Sequence, residues 1–185
     1  MSAPRARVLP RTEFGDPILT RRAKRVTRAY LKSEAFRALV RDLVRTMRAS
    51  GGVGLAAPQV GVPLQVAVME VRETPTRRGV ATRKLQVIVN PEITETFGKP
   101  VLKWEGCLSF SKTFGRVPRY PKVSVRYTDT DGNSVDETAG GLWGHIFQHE
   151  IDHLQGIRYI DRMEDARTLV TEAEYRKRFA KRRKA

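Results

Sequence analysis

Behind Ser33, the apolar residues Phe36, Leu39, Val40, Leu43, Val44 and Met47 recur at three- and four-residue steps, while Arg37, Arg41, Asp42, Arg45 and Arg48 occupy the positions between them. That period predicts an amphipathic helix capped by Ser33 and closed at Gly51-Gly52. Residues 51–61, rich in glycine, interrupt both helical and strand periods, so they predict a structured loop or a loop leading into a strand. Residues 65–71 and 84–90 are rich in Val and Ile with two-residue alternation, which predicts two strands joined by an exposed connection over 72–83. Residues 123–127 alternate cleanly, and Asp129-Thr130-Asp131-Gly132-Asn133 supplies a turn before residues 134–138, so a hairpin is expected. Over residues 141–154, Leu142, Ile146, Phe147, Ile151 and Leu154 fall near one stripe of a second helix that stops near Gly156. Thr171 and Glu174 form a capping-box pair that opens a third, basic helix from Glu172 to about Lys184. A helix, then strands, then helices without internal repeat predicts an α+β fold rather than a βαβ series.

Composition bounds the picture without changing it. A chain of 185 residues, 40% hydrophobic and 30% charged, suits one packed domain over residues 1–185, with a basic C-terminal helix or tail from about residue 171. Lys and Arg number 35 against 20 Asp and Glu, a net charge of +15. Such an excess suits a polyanionic partner, although a generally basic surface produces the same number. No apolar run approaches the roughly 18 to 20 residues that span a bilayer, and the Arg-rich start lacks the apolar stretch of a signal peptide, so a cytoplasmic location is expected. Fold-like sequence begins by about Val8, which leaves little room for a transit peptide. A single cysteine, Cys107, excludes an internal disulfide and leaves a buried thiol, a reactive thiol or a metal ligand.

The chemistry concentrates in His149-Glu150-Ile151-Asp152-His153. Residues four apart share one helix face, so both imidazoles can reach one metal ion, and Glu150 can sit beside the open coordination position and exchange protons with water. His145, four before His149, forms a rival pair, yet eight residues of helix rise about 12 Å, too far for His145 and His153 to share one ion. Only the pair flanking Glu150 also supplies a base. Catalytic metal sites commonly hold three protein ligands, so a third must come from elsewhere: Cys107, Asp152, Asp161 or another acid. Cys107 is the first choice, set between Gly106 and Ser109 in Glu105-Gly106-Cys107-Leu108-Ser109, with an inert buried thiol as the alternative.

Three segments, Gly52-Val53-Gly54-Leu55-Ala56-Ala57-Pro58-Gln59, Glu105-Gly106-Cys107-Leu108-Ser109 and Gln148-His149-Glu150-Ile151-Asp152-His153, together resemble the peptide deformylase family in content, order and spacing. The likeness runs from about Val8 to Arg178 and includes Asp16-Pro17-Ile18-Leu19 and Tyr159-Ile160-Asp161-Arg162-Met163. It implies antiparallel sheets packed around a central helix carrying the HExxH motif. It also implies metal ligands Cys107, His149 and His153, with Fe2+ as the native ion; Zn2+ suits the same donors on ligand chemistry. The implied reaction removes the N-formyl group from the formyl-methionine of nascent polypeptides and releases formate. Glu150 is then the proton shuttle, the Gln59 amide and the Leu108 N–H hold the developing oxyanion, and Val53, Gly54, Gly106 and Leu142 contact substrate. Where many members carry an Arg that holds the substrate main chain, this chain has Phe114, with Arg116 two residues later, and Lys103 replaces a commonly apolar residue near the methionine pocket. The basic helix is expected to dock on ribosomal RNA, and the chain is expected to be a monomer. Two other readings compete: a metallopeptidase of the two-histidine helix type, and a basic RNA-binding module with a structural metal. The second would need a closed site, usually of four protein ligands, where three are evident.

Overall fold

The computed structural model describes residues 6–74 and 77–179. Ser33 does cap the predicted helix: its side chain accepts from the Phe36 N–H, and the helix, here α2, runs Glu34–Ala49 behind the single turn α1, Arg28–Leu31. The glycine-rich passage resolves into strand β1, Gly54–Ala56, and a 3-10 turn, Ala57–Val60. The two Val- and Ile-rich segments become β2, Val66–Val71, and β3, Arg83–Phe97. β3 outruns its predicted end because it bends at shifts of register between Val89 and Glu92 and between Ile93 and Glu95, and so pairs first with β2 and then with β6, Lys122–Thr128. The predicted hairpin is β6 with β7, Ser134–Gly140, and its turn is tied by Asp129, which accepts from the Asp131 and Asn133 N–H groups.

These strands form an antiparallel five-stranded sheet in the order β1-β2-β3-β6-β7. β2 is buried along its whole length and shows how the layers stack. Val66 and Val68 join Phe36, Leu39, Leu43 and Met47 of α2 in one core, whereas Ala67, Met69 and Val71 face the other way into a second core with Trp143, Phe147, Ile151 and Leu154. The second core belongs to α3, Gly141–Gln155, which ends at Gly156. That glycine has φ +75°, and a Cβ there would lie 2.8 Å from the backbone of Thr20 and Arg21, so both its conformation and its surroundings exclude a side chain. Leu142 departs from the predicted apolar stripe: it is 48% exposed, and Trp143 takes the buried position in the first turn.

A second antiparallel sheet, β4-β5-β8, comprises Val101–Cys107, Phe110–Arg119 and Val170–Thr171. It joins α3 through Arg119 and through Gln148, whose side chain exchanges two hydrogen bonds with the Tyr120 backbone. The helix with the histidines therefore lies between two antiparallel sheets, and the architecture is α+β as predicted. Thr171 caps the last helix, α4, Glu172–Arg178, by accepting from the Glu174 N–H. The Glu174 carboxylate turns to Arg178 instead of closing the predicted box. The expected continuation to Lys184 lies outside the described residues. No helix among the described residues is long and apolar enough to cross a membrane.

Candidate active site and metal centre

Cys107 closes β4 at a hairpin whose turn is Leu108-Ser109, and the register shift between Gly106 and Cys107 sets the thiol toward α3. Its Sγ lies 3.2 Å from His153 Nε2, which lies 3.2 Å from His149 Nε2. Cys107, His149 and His153 thus offer three donor atoms within 4.8 Å of one another. The other sequence candidates for a third ligand are engaged elsewhere: Asp152 is held by Arg119 and Arg162, and Asp161 by Arg158. Burial pushes the Cys107 thiol up, but the adjoining His153 and His149 outweigh it and bring the pKa down to about 5, so the thiolate is available at neutral pH.

Glu150 is 3% exposed, and its Oε2 has no hydrogen-bond partner among the described residues. Burial raises its pKa to about 7, against the lowering effect of His149 and His153. The carboxylate fits because position 54 is glycine: a Cβ there would stand 2.2 Å from Glu150 Oε1. Of the glycines that the resemblance sets against substrate, Gly54 has the room for a side chain taken by Glu150 and Gly106 by the Phe114 ring, as Gly52 has it taken by Leu108. Val53 leads into β1, where its carbonyl accepts from the Glu70 N–H. Gln59 is buried; its Oε1 accepts from the Ala56 N–H, and its Nε2 donates toward Cys107 Sγ at 3.4 Å and Ser109 Oγ at 3.3 Å. The Cys107, His149, His153, Glu150 and Gln59 side chains therefore converge. Leu142 stands apart, exposed about two turns before His149. Phe114 lies over Gly106 and stacks on Tyr175 of α4, with ring centroids 4.4 Å apart.

One participant was missed from sequence. Glu105, 4% exposed, accepts from His149 Nδ1 at 2.8 Å, from His145 Nε2 at 2.5 Å and from Arg119. Burial alone would raise its pKa, but hydrogen bonds from His145 and His149 hold it well below the usual carboxylate range. Arg119 bridges to Asp152, and Arg162 covers Asp152 from the surface. No local signal in the sequence marked Glu105, because the strands that turn it and Arg119 inward carry no regular apolar alternation.

A family model for polypeptide deformylase matches residues 8–168. The chain belongs to the polypeptide deformylase family. Deformylases of Thermomicrobium roseum and Thermotoga neapolitana are 42% and 40% identical to it, over 84% and 85% of this chain and 85% and 88% of theirs. Among solved structures, a Met-Ala-Ser-bound class I type b peptide deformylase from Acinetobacter baumannii superposes with a TM-score of 0.80 at 36% identity, covering 84% of this chain and 98% of that one. A deformylase is a hydrolase that removes formyl groups, and the reading as an enzyme follows from the family.

Proposed function

We propose that the chain hydrolyses the formyl amide of N-formyl-methionyl nascent peptides, releasing formate and a free amine, with one divalent metal held by Cys107, His149 and His153. The observation that carries this is the convergence of three donor atoms beside a buried carboxylate whose Oε2 has no hydrogen-bond partner among the described residues. A thiolate and two imidazole nitrogens suit Fe2+, the ion we assign, and Zn2+ as well. When bound, the ion would supply Lewis acidity to the hydrolysis. Glu150 takes the proton from the attacking water and delivers it to the departing amine, and the burial that raises its pKa favours its holding the proton between the two transfers. The Gln59 amide, aimed at Cys107, and the Leu108 N–H next to it in sequence stabilise the oxyanion. Val53, Gly54, Gly106 and exposed Leu142 form, in this reading, the substrate side of the site, with the filled space at Gly54 and Gly106 leaving the backbone there as the contact.

The basic helix serves, in this reading, to dock the protein on ribosomal RNA. Tyr175 and Phe179 pack on Trp104, and Tyr175 also on Phe114, so α4 is held against the small sheet while Arg176, Lys177 and Arg178 stay exposed. We further assign a monomeric, single-domain, cytoplasmic protein, matched to where nascent chains emerge.

Formate release from formyl-Met-Ala-Ser by the iron and zinc forms tests the reading. Both forms should turn over, and Glu150→Ala should keep its metal yet lose roughly 10² to 10⁴ of the rate. Absence of formate from either loaded form would overturn the assignment.

A further inference from the structure

His145 is the histidine that the metal site leaves over. Its Nε2 lies 2.5 Å from Glu105 Oε1, while Glu105 Oε2 lies 2.8 Å from His149 Nδ1. Arg119 supplies the remaining donors, Nε to Oε1 at 2.5 Å and Nη2 to Oε2 at 3.0 Å. A carboxylate has about four lone-pair directions, and here four N–H groups fill them, two on each oxygen. The side chain is 3% exposed, so water does not compete for those places. Arg119 is itself fixed by Asp152. The carboxylate consequently has one orientation, in which Oε2 receives the His149 Nδ1–H and leaves His149 Nε2 facing Cys107 and His153.

We propose that His145 is a positioning residue for the metal site: by donating its Nε2–H to Glu105, it locks the carboxylate that orients His149. The inference rests on the metal reading of Cys107, His149 and His153. Without His145, Oε1 keeps only the Arg119 Nε–H, the carboxylate is held less firmly, and the angle of the His149 ring is less closely restrained. His145 itself touches none of the three donor atoms' side chains through a hydrogen bond among the described residues, so its effect must pass through Glu105.

The test follows zinc release from the loaded full-length protein to a chelator, together with the His149 Nδ1–H proton resonance of the zinc form. His145→Ala should release zinc roughly 10-fold faster and shift that resonance, in keeping with the roughly 10- to 100-fold effects of residues that orient metal ligands. His145→Gln, whose amide N–H reaches about as far as imidazole Nε2, should restore most of the retention and the resonance, which a loss of packing alone would not do. Release and resonance as in the wild type for His145→Ala would overturn the inference alone, as would failure of His145→Gln to restore them. A wild-type protein that takes up no zinc would overturn the metal site, and this inference with it.

Discussion

Gly54 and Glu150 illustrate how single residues set this chemistry. A methyl group at position 54 would stand 2.2 Å from Glu150 Oε1, so Gly54→Ala must displace the carboxylate without touching a ligand. The variant should retain metal and lose activity by roughly 10²-fold or more, as loss of a proton shuttle does; metal analysis beside kcat checks this, and an unchanged kcat would show that Glu150 acts from elsewhere. Cys107 carries a second prediction. In the metal-free protein its thiolate absorbance should titrate near pH 5 rather than near the ordinary 9.0, and His153→Ala should move that midpoint upward by removing a positive neighbour. Because the folded pKa is the lower one, the thiolate's contribution to stability is complete above about 9.0 and is lost as pH falls through about 5. The pairing of His149 with His153 around Glu150 was readable because a helix fixes which residues four apart share a face. Glu105 was not, because its partners His145, His149 and Arg119 come together only in space.

Among the elements, α3 depends on the two sheets in different ways. Against the large sheet it packs aliphatic and aromatic side chains, the kind of packing a periodic apolar stripe announces. Against the small sheet it uses charge: Arg119 of β5 joins Glu105 of β4 to Asp152 of α3, with Arg119 and Glu105 each 3% exposed. Arg119→Ala would leave two buried carboxylates short of a partner and should destabilise by about 3–5 kcal/mol. Removing the surface pair by Arg126→Ala should cost about 1 kcal/mol or less, since Arg126 and Asp136 are 59% and 63% exposed. Denaturant midpoints of the two variants check the contrast; equal losses would mean that the buried network does not join the sheet to the helix. β4 and β5 escaped sequence reading for a related reason. Lys103 and Glu105, at alternate positions of β4, break the apolar alternation by which a strand is recognised.

Across the whole molecule, the net charge of +15 makes binding to polyanions salt-sensitive. Replacing Arg176, Lys177 and Arg178 together with Gln should weaken ribosome binding and lower its salt slope by up to about 0.7–0.9 for each phosphate no longer neutralised, while hydrolysis of a free formyl peptide continues. Binding measured at low and moderate salt decides it; equal affinity and slope would remove the helix as the anchor. These substitutions are cleaner than deleting residues 176–185, which would also strip Phe179 from Trp104. Local sequence was enough for the elements whose signals lie close together along the chain: Ser33-capped α2, the β6–β7 hairpin, α3 with its two histidines, and the Thr171 cap. Only the folded arrangement established that Cys107, on a hairpin some forty residues upstream, meets His149 and His153, that Asp152 and Asp161 do not, and that Glu105 accepts from His149. Capping and periodicity act within a few residues along the chain, whereas ligand sets and buried charge networks depend on strand register and packing between distant segments, which no local pattern encodes.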